Sequence, residues 1–193
     1  MAAEVNGKAF LGIIRWAREH GDADLIQRAV AKSGAGLEEA FSTRILKTAW
    51  YRYPLFTDFL VSLDVEAGSG DGVFCRRLGA EAGLRDLNTI FRIYRVVASP
   101  ERLIRSCTSV WESYYRGAGR MEAVEWKPEA TVVRIYDFPQ MHTHHCRLME
   151  GWMIATLELI GAEVSADAEE KKCTSLGDEF HEFRCTWTKR GGG

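Results

Sequence analysis

Near its C-terminus the chain reads "EEKKCTSLGDEFHEFRCTW", Glu169 to Trp187, and crowds two cysteines, a histidine and four glutamates together. Thiolate, carboxylate and imidazole are the donors that close a tetrahedral metal shell. Cys173 precedes a Gly-containing turn at Leu176–Gly177–Asp178 and His181 follows it, so the two can face each other across a hairpin. Glu170 lies three residues before Cys173, and Cys146 belongs to a separate upstream element. Cys146, Glu170, Cys173 and His181 are therefore candidate ligands. Parity sets a condition on the set. Glu170 and Cys173 fall on opposite faces of an ideal strand, so both reach one ion only if a bulge or bend lies between them. The plainer alternative is a packed strand, with His181, Phe183, Cys185 and Trp187 on one buried face.

A second cluster is "HTHHC", His142 to Cys146. Neighbouring imidazoles invite a metal reading, although three adjacent residues cannot all point at one ion, and a solvated loop with helix-capping side chains is the simpler account. His145 or His142 could replace one ligand of the first set. A third feature is aromatic density in "AWYRYPLF", "IFRIYRVV" and "VWESYYRG". Aromatics at helical spacing are mostly core, yet some would line a cavity if the helices enclose one. Tyr51, Tyr53, Tyr94, Trp111, Tyr114 and Tyr115 form the expected wall, with Arg92 or Arg95 to supply a cation. No Gly-rich phosphate loop, nucleophile elbow or H-E-x-x-H motif is present, so a binding role is expected ahead of an enzymatic one. A metal-assisted hydrolase or a reductase would need an open metal position and a base, for which Glu169 and Glu179 are candidates.

Several elements must position these residues. Phe10, Ile13, Ile14 and Ala17 recur at helical spacing up to Gly21, and "DADLIQRAVAKSG" continues with a capped amphipathic helix. "STRILKTAWYRYP" and "PLFTDFLVSLDVEAG" read as two helices broken near Pro54. The turn cluster "GSGDG" follows, then helices over "GVFCRRLGAEAGLRDL" and "NTIFRIYRVVA". Ser99-Pro100 opens another helix, which Gly117 ends. The period then changes: "RMEAVEWKP" and "EATVVRIYDFP" make a β-hairpin, "HHCRLMEGWMIATLELIGA" a helix, and "EVSADAEEKKCTS" with "EFHEFRCTWTK" a second hairpin. The fold class expected is α+β: a helical N-terminal half packed on an antiparallel sheet, with C-terminal order β-β-α-β-β.

Length and composition agree with one domain over residues 1–193: a helical part at 1–98, a core at 99–188 and a flexible tail at 189–193. The 193 residues are 46% hydrophobic and 27% charged with net charge −2, so there is no basic excess to neutralise phosphates and nucleic acid is not an expected partner. No run of roughly eighteen apolar residues suggests a membrane span. The N-terminus reads as an amphipathic helix and not as a signal peptide. With five cysteines at irregular spacing, reduced thiols in a cytoplasm are expected over a disulfide framework.

The run from "SPERLIRSCTSVWESYYRG" through "GWMIATLELIGA" to "EKKCTSLGDEFHEFRCTW" resembles the 4-vinyl reductase domain family, with its E-x-x-C strand, G-D-like turn and following strand. The superfamily includes haem-nitric-oxide-binding domains and TRAPP vesicle-tethering subunits. The resemblance implies a helical layer over an antiparallel sheet that encloses an apolar ligand or acyl chain. It also implies zinc held by a helix cysteine, the Glu and Cys of E-x-x-C and a second strand cysteine. Those positions here are Cys146, Glu170, Cys173 and His181, with histidine in place of the last cysteine; Cys185 is a weaker substitute. The haem-binding relatives use a proximal histidine and Tyr-x-Ser-x-Arg, which "SYYRG" and "STRIL" do not reproduce, so zinc is expected ahead of haem. The resulting expectation is a cytoplasmic, bacterial-type sensing domain, homodimeric, binding a small apolar or aromatic molecule and signalling through a partner. A haem-based gas sensor and a tethering module are the other readings.

Overall fold

The computed structural model describes residues 2–20, 23–89, 106–159, 161–165 and 168–189. Arg92, Tyr94, Arg95 and the start of the helix expected from Ser99 lie outside the described residues.

The N-terminal half is helical, as its periodicity requires. Helix α1 spans Gly7–Glu19, with the Asn6 side chain accepting the Lys8 N–H at 3.1 Å and satisfying one of the donors that a helix start leaves open. Phe10, Ile13, Trp16 and Ala17 form its buried stripe. Helices α2 (Ala23–Lys32) and α3 (Ala35–Ser42) follow. The next stretch differs from expectation. Residues 43–49 form no helix, and Trp50–Arg52 is a strand, β2. It pairs with β1 (Glu4–Asn6), which also pairs with β3 (Tyr115–Arg116). Strands this short carry too little alternation to be recognised locally. Pro54 does not break a helix but sits in the first turn of α4 (Tyr53–Ala67), where its missing N–H costs nothing.

The loop "GSGDG" wraps around Asp64, which is fully buried. Its carboxylate accepts the backbone N–H groups of Gly72 at 2.8 Å and Phe74 at 3.1 Å, so a side chain of α4 caps the start of α5 (Val73–Thr89). Helix α6 (Cys107–Tyr114) then leads into β3.

The second half carries the larger sheet. Strands β4 (Arg120–Lys127) and β5 (Ala130–Tyr136) form the first hairpin, with a bulge between Ala123 and Glu125. Helix α7 spans Thr143–Leu159. The expected single strand after it divides into β6 (Ala162–Val164) and β7 (Glu169–Lys172). Both lie on the same edge of the long β8 (His181–Lys189), β6 opposite Trp187–Lys189 and β7 opposite Glu182–Arg184. The antiparallel order is β4-β5-β8-β6, with β7 also paired to β8. His181, Phe183, Cys185 and Trp187 are all buried on one face of β8, as period two requires.

Helix α7 is held against α5 at very short range. A Cβ placed on Gly79 would meet the Leu148 carbonyl oxygen at 1.8 Å, and one on Gly151 would meet the Arg76 carbonyl oxygen at 1.9 Å. The two backbones touch because neither glycine has a side chain. Gly79→Ala is expected to destabilise the protein by about 2 kcal/mol or more, as overpacking does, although alanine ordinarily favours a helix. Gly12, in α1, has nothing within 4 Å of its Cβ position, so Gly12→Ala is expected to stabilise by up to about 1 kcal/mol. Urea unfolding of both variants checks the opposite signs.

Candidate functional site

Cys146 opens the buried face of α7, Glu170 lies in β7, Cys173 follows β7 and His181 begins β8. One ligand atom from each of the four lies within 4.8 Å of the others. The condition set by parity is met, because the β7–β8 register shifts between Glu170 and Lys172. The bulge turns Glu170 and Cys173 toward the same point. Cys146, Cys173 and His181 are buried at 1%, 2% and 0% exposure, and the Glu170 side chain is exposed by only 8%.

The internal distances are short. Cys146 Sγ is 3.9 Å from Cys173 Sγ and 3.5 Å from His181 Nδ1, which is 2.8 Å from Glu170 Oε1. On its other side, His181 Nε2 lies 2.7 Å from Thr174 Oγ1 and 3.4 Å from the Phe138 carbonyl oxygen. A proton on Nε2, donated to those oxygens, leaves the Nδ1 lone pair directed into the cluster. Glu150, buried within α7, accepts the Glu170 N–H at 2.8 Å and is paired with Arg147 at 2.7 Å. Asp178 accepts the Cys173 N–H at 2.8 Å. Each candidate strand ligand is thus oriented by a neighbour.

Electrostatically the cluster is arranged around shared protons. The hydrogen bond that Cys146 donates to Cys173 raises the Cys146 pKa, and burial raises it further. The same bond pulls Cys173 down to about 6. Burial disfavours the charged form of His181, but the Glu170 carboxylate outweighs it and the pKa rises. The four groups together can hold a cation or share protons; all four donors come from the protein, which fills a tetrahedral shell and leaves no open position for substrate. Glu169 and Glu179, the bases an enzyme would need, are exposed, and Glu169 pairs with Lys171 at 2.6 Å.

The "HTHHC" histidines divide between other tasks. His145 is fully buried, with Nδ1 2.8 Å from the Tyr53 hydroxyl and Nε2 2.8 Å from the Tyr115 hydroxyl. A neutral imidazole donates to one phenol and accepts from the other. The Tyr53 oxygen also accepts the His142 N–H at 3.2 Å. His144 Nε2 lies 3.3 Å from Asp64.

A cavity of about 800 Å³, solvent at its mouth included, lies among α1, α4, α5, α6, β4 and α7. Trp111, Tyr114 and Tyr115 line it, as do Trp16, Phe56 and Trp152. Tyr51 and Tyr53 are not among its lining residues: the Tyr51 hydroxyl accepts the Leu46 N–H at 2.9 Å and its ring packs on Phe10. Tyr94 lies outside the described residues. Trp16, Phe56 and Trp152 were not singled out from the sequence, where each is one more apolar residue at helical spacing. Lys8, Glu81 and Arg85 also border the cavity. A second, smaller cavity shares Met121 and Trp152 with the first and includes Cys107 and Cys185 in its wall.

No family model and no curated protein matches the sequence. Solved structures do match its fold. An H-NOX protein from S. oneidensis in the Fe(II) ligation state is similar at TM-score 0.72 and 8% identity, over 95% of this chain and 96% of that one. An Fe(II) unliganded H-NOX protein mutant from K. algicida gives 0.69 and 12%, over 95% and 97%. An oxygen-binding H-NOX domain related to soluble guanylate cyclases gives 0.67 and 12%, over 97% and 98%. The fold is H-NOX-like. It is the fold of the superfamily that the sequence resemblance pointed to, while the 4-vinyl reductase family itself is not matched.

The expectation of zinc ahead of haem is corrected by these neighbours. They are described in Fe(II) and oxygen states, and another neighbour concerns haem distortion in the H-NOX family. Haem is what is named for these neighbours, and none of them is described with zinc. The side chains of this chain do not, however, build a histidine-ligated haem site. All five histidines are described, at positions 20, 142, 144, 145 and 181, and none lines the large cavity. Both ring nitrogens of His145, which packs against the cavity residue Tyr115, are already engaged.

Burial lowers the His145 pKa to about 3, with His181 and His142 adding to the effect. The unfolded value is near 6.5, so between the two the unfolded chain binds the extra proton. Stability from this residue is complete above about pH 6.5 and falls as pH drops toward 3. The thermal midpoint of the wild type is expected to fall more steeply from pH 7 to pH 4 than that of His145→Gln, as followed by circular dichroism.

Proposed function

We propose that this chain is a small-molecule sensing domain of the 4-vinyl reductase kind, built on an H-NOX-like fold. Its aromatic cavity takes a small apolar or aromatic ligand. Cys146, Glu170, Cys173 and His181 hold a divalent transition-metal ion in a structural role, clamping β7 and β8 to the start of α7. The observation that carries the reading is the convergence of four donors from three elements on one buried point, beside a cavity walled by the same helix. Thiolate, carboxylate and imidazole are all ligands of divalent transition metals. Metal affinity would then add to folding stability.

Cobalt(II) is a direct probe. Reduced protein is expected to bind one equivalent with a sulfur-to-cobalt charge-transfer band, and Cys173→Ser to lose that band; absence of the band in the wild type defeats the metal reading. For the cavity, the probe is 1-anilinonaphthalene-8-sulfonate. Met149 lines the wall, so Met149→Trp is expected to cut the probe's fluorescence enhancement at least severalfold while far-ultraviolet circular dichroism stays native. Equal fluorescence from both proteins would overturn the cavity assignment.

The fold neighbours favour a second reading, a haem-based gas sensor. Adding haemin to the purified protein discriminates the two. A sharp Soret band saturating at one equivalent supports the haem reading, and a broad non-saturating absorbance supports the first.

A further inference from the structure

We propose that Cys146 and Cys173 are an oxidisable dithiol, converted by hydrogen peroxide into an intramolecular disulfide. The two sulfurs are 3.9 Å apart and in contact, so a disulfide needs them to close to about 2 Å by side-chain rotation. They come from different elements, 27 residues apart in sequence, so the bond would tie the start of α7 to the end of β7. Both are reduced in the structure. A short 3-10 turn, Thr174–Leu176, directly follows Cys173, and Leu176 in that turn is 79% exposed. Both thiols are buried, so a small uncharged oxidant is the kind that can reach the pair.

The chemistry balances without any further reactant. One sulfur attacks the peroxide, an S–O bond forms as the O–O bond breaks, and the departing hydroxide takes up the thiol proton as water. The second sulfur attacks the resulting sulfenic acid, the S–S bond forms as the S–O bond breaks, and a second water leaves. The thiols lose two electrons and the peroxide gains them. Oxidation consumes two of the four donors, leaving only Glu170 and His181. On the metal reading of the preceding section, on which this consequence rests, the site exchanges a metal clamp for a covalent one joining the same two elements.

The test uses the full chain, reduced and chelator-treated, exposed to stoichiometric hydrogen peroxide, alkylated and mapped as peptides without reduction. The expected product is a cross-linked peptide joining Cys146 to Cys173, lighter by two hydrogens and reversed by thiol reductant. The proposal is overturned if Cys146 or Cys173 ends as sulfinic or sulfonic acid without the cross-link, or if the cross-link joins other cysteines. Mapping the wild type avoids reliance on variants that fail to fold. A parallel cobalt(II) titration separates the two ideas. A cross-link in protein that never binds cobalt upholds the dithiol and removes the metal reading; cobalt binding without a cross-link does the reverse.

Discussion

The backbone contact between α5 and α7 fixes where α7 lies, and each candidate site among the described residues includes residues of α7. Gly79 and Gly151 allow an approach that no side chain could share, and the helix cannot slide without driving a carbonyl oxygen into a neighbouring backbone. With its position set, the helical period distributes its residues. Cys146 meets the strand donors, His145 points to Tyr53 and Tyr115, and Leu148, Met149 and Trp152 face the large cavity. Met153, Thr156 and Leu157 face the smaller one. A rigidly seated helix lets a donor cluster and a cavity share one wall.

The donor cluster carries a cost that the rest of the fold has to offset. Four polar groups lie together against a core built mainly of aromatic and aliphatic side chains, and burying such groups without partners costs several kcal/mol. The structure meets the cost by supplying partners on every side. Thr174 and Phe138 take the outer nitrogen of His181, Glu150 holds the backbone of Glu170, and Asp178 holds that of Cys173. Inside, the groups face one another. Either shared protons or a cation must neutralise them, and which of the two prevails depends on solution conditions, not on the scaffold.

Much of this was legible in the sequence because it is local. The alternation of His181, Phe183, Cys185 and Trp187 gave the buried face of β8, and the parity of Glu170 and Cys173 demanded a bulge that lies between Glu170 and Lys172. What escaped is non-local. The three-stranded sheet of β1, β2 and β3 is held by pairings between distant short segments, each too brief to alternate. The Tyr53–His145 bond spans 92 residues, so His145 read as loop chemistry when it is core. Glu150 could have been noticed: a carboxylate in the otherwise apolar run "LMEGWMIATL" must find partners if that face is buried.

Fold and cofactor separate at this point. The chain shares its architecture with H-NOX proteins over nearly its whole length at 7–13% identity, a level at which the backbone persists and the side chains that do chemistry need not. Ligation is a property of side chains, and an imidazole already bonded at both nitrogens must give up a hydrogen bond before it can reach a metal. Tyr53 and Tyr115 hold His145 in that way. The aromatic rings of Trp111, stacked at 6.0 Å, and Phe56, edge-on at 5.7 Å, pack around it. Of the remaining four histidines, His181 is the one that belongs to the four-donor group, and its companions there are two thiols and a carboxylate. The same helical layer and sheet can therefore persist while the side chains they enclose change, because the backbone supplies only the enclosure and the residues on α7 and β8 decide what it contains.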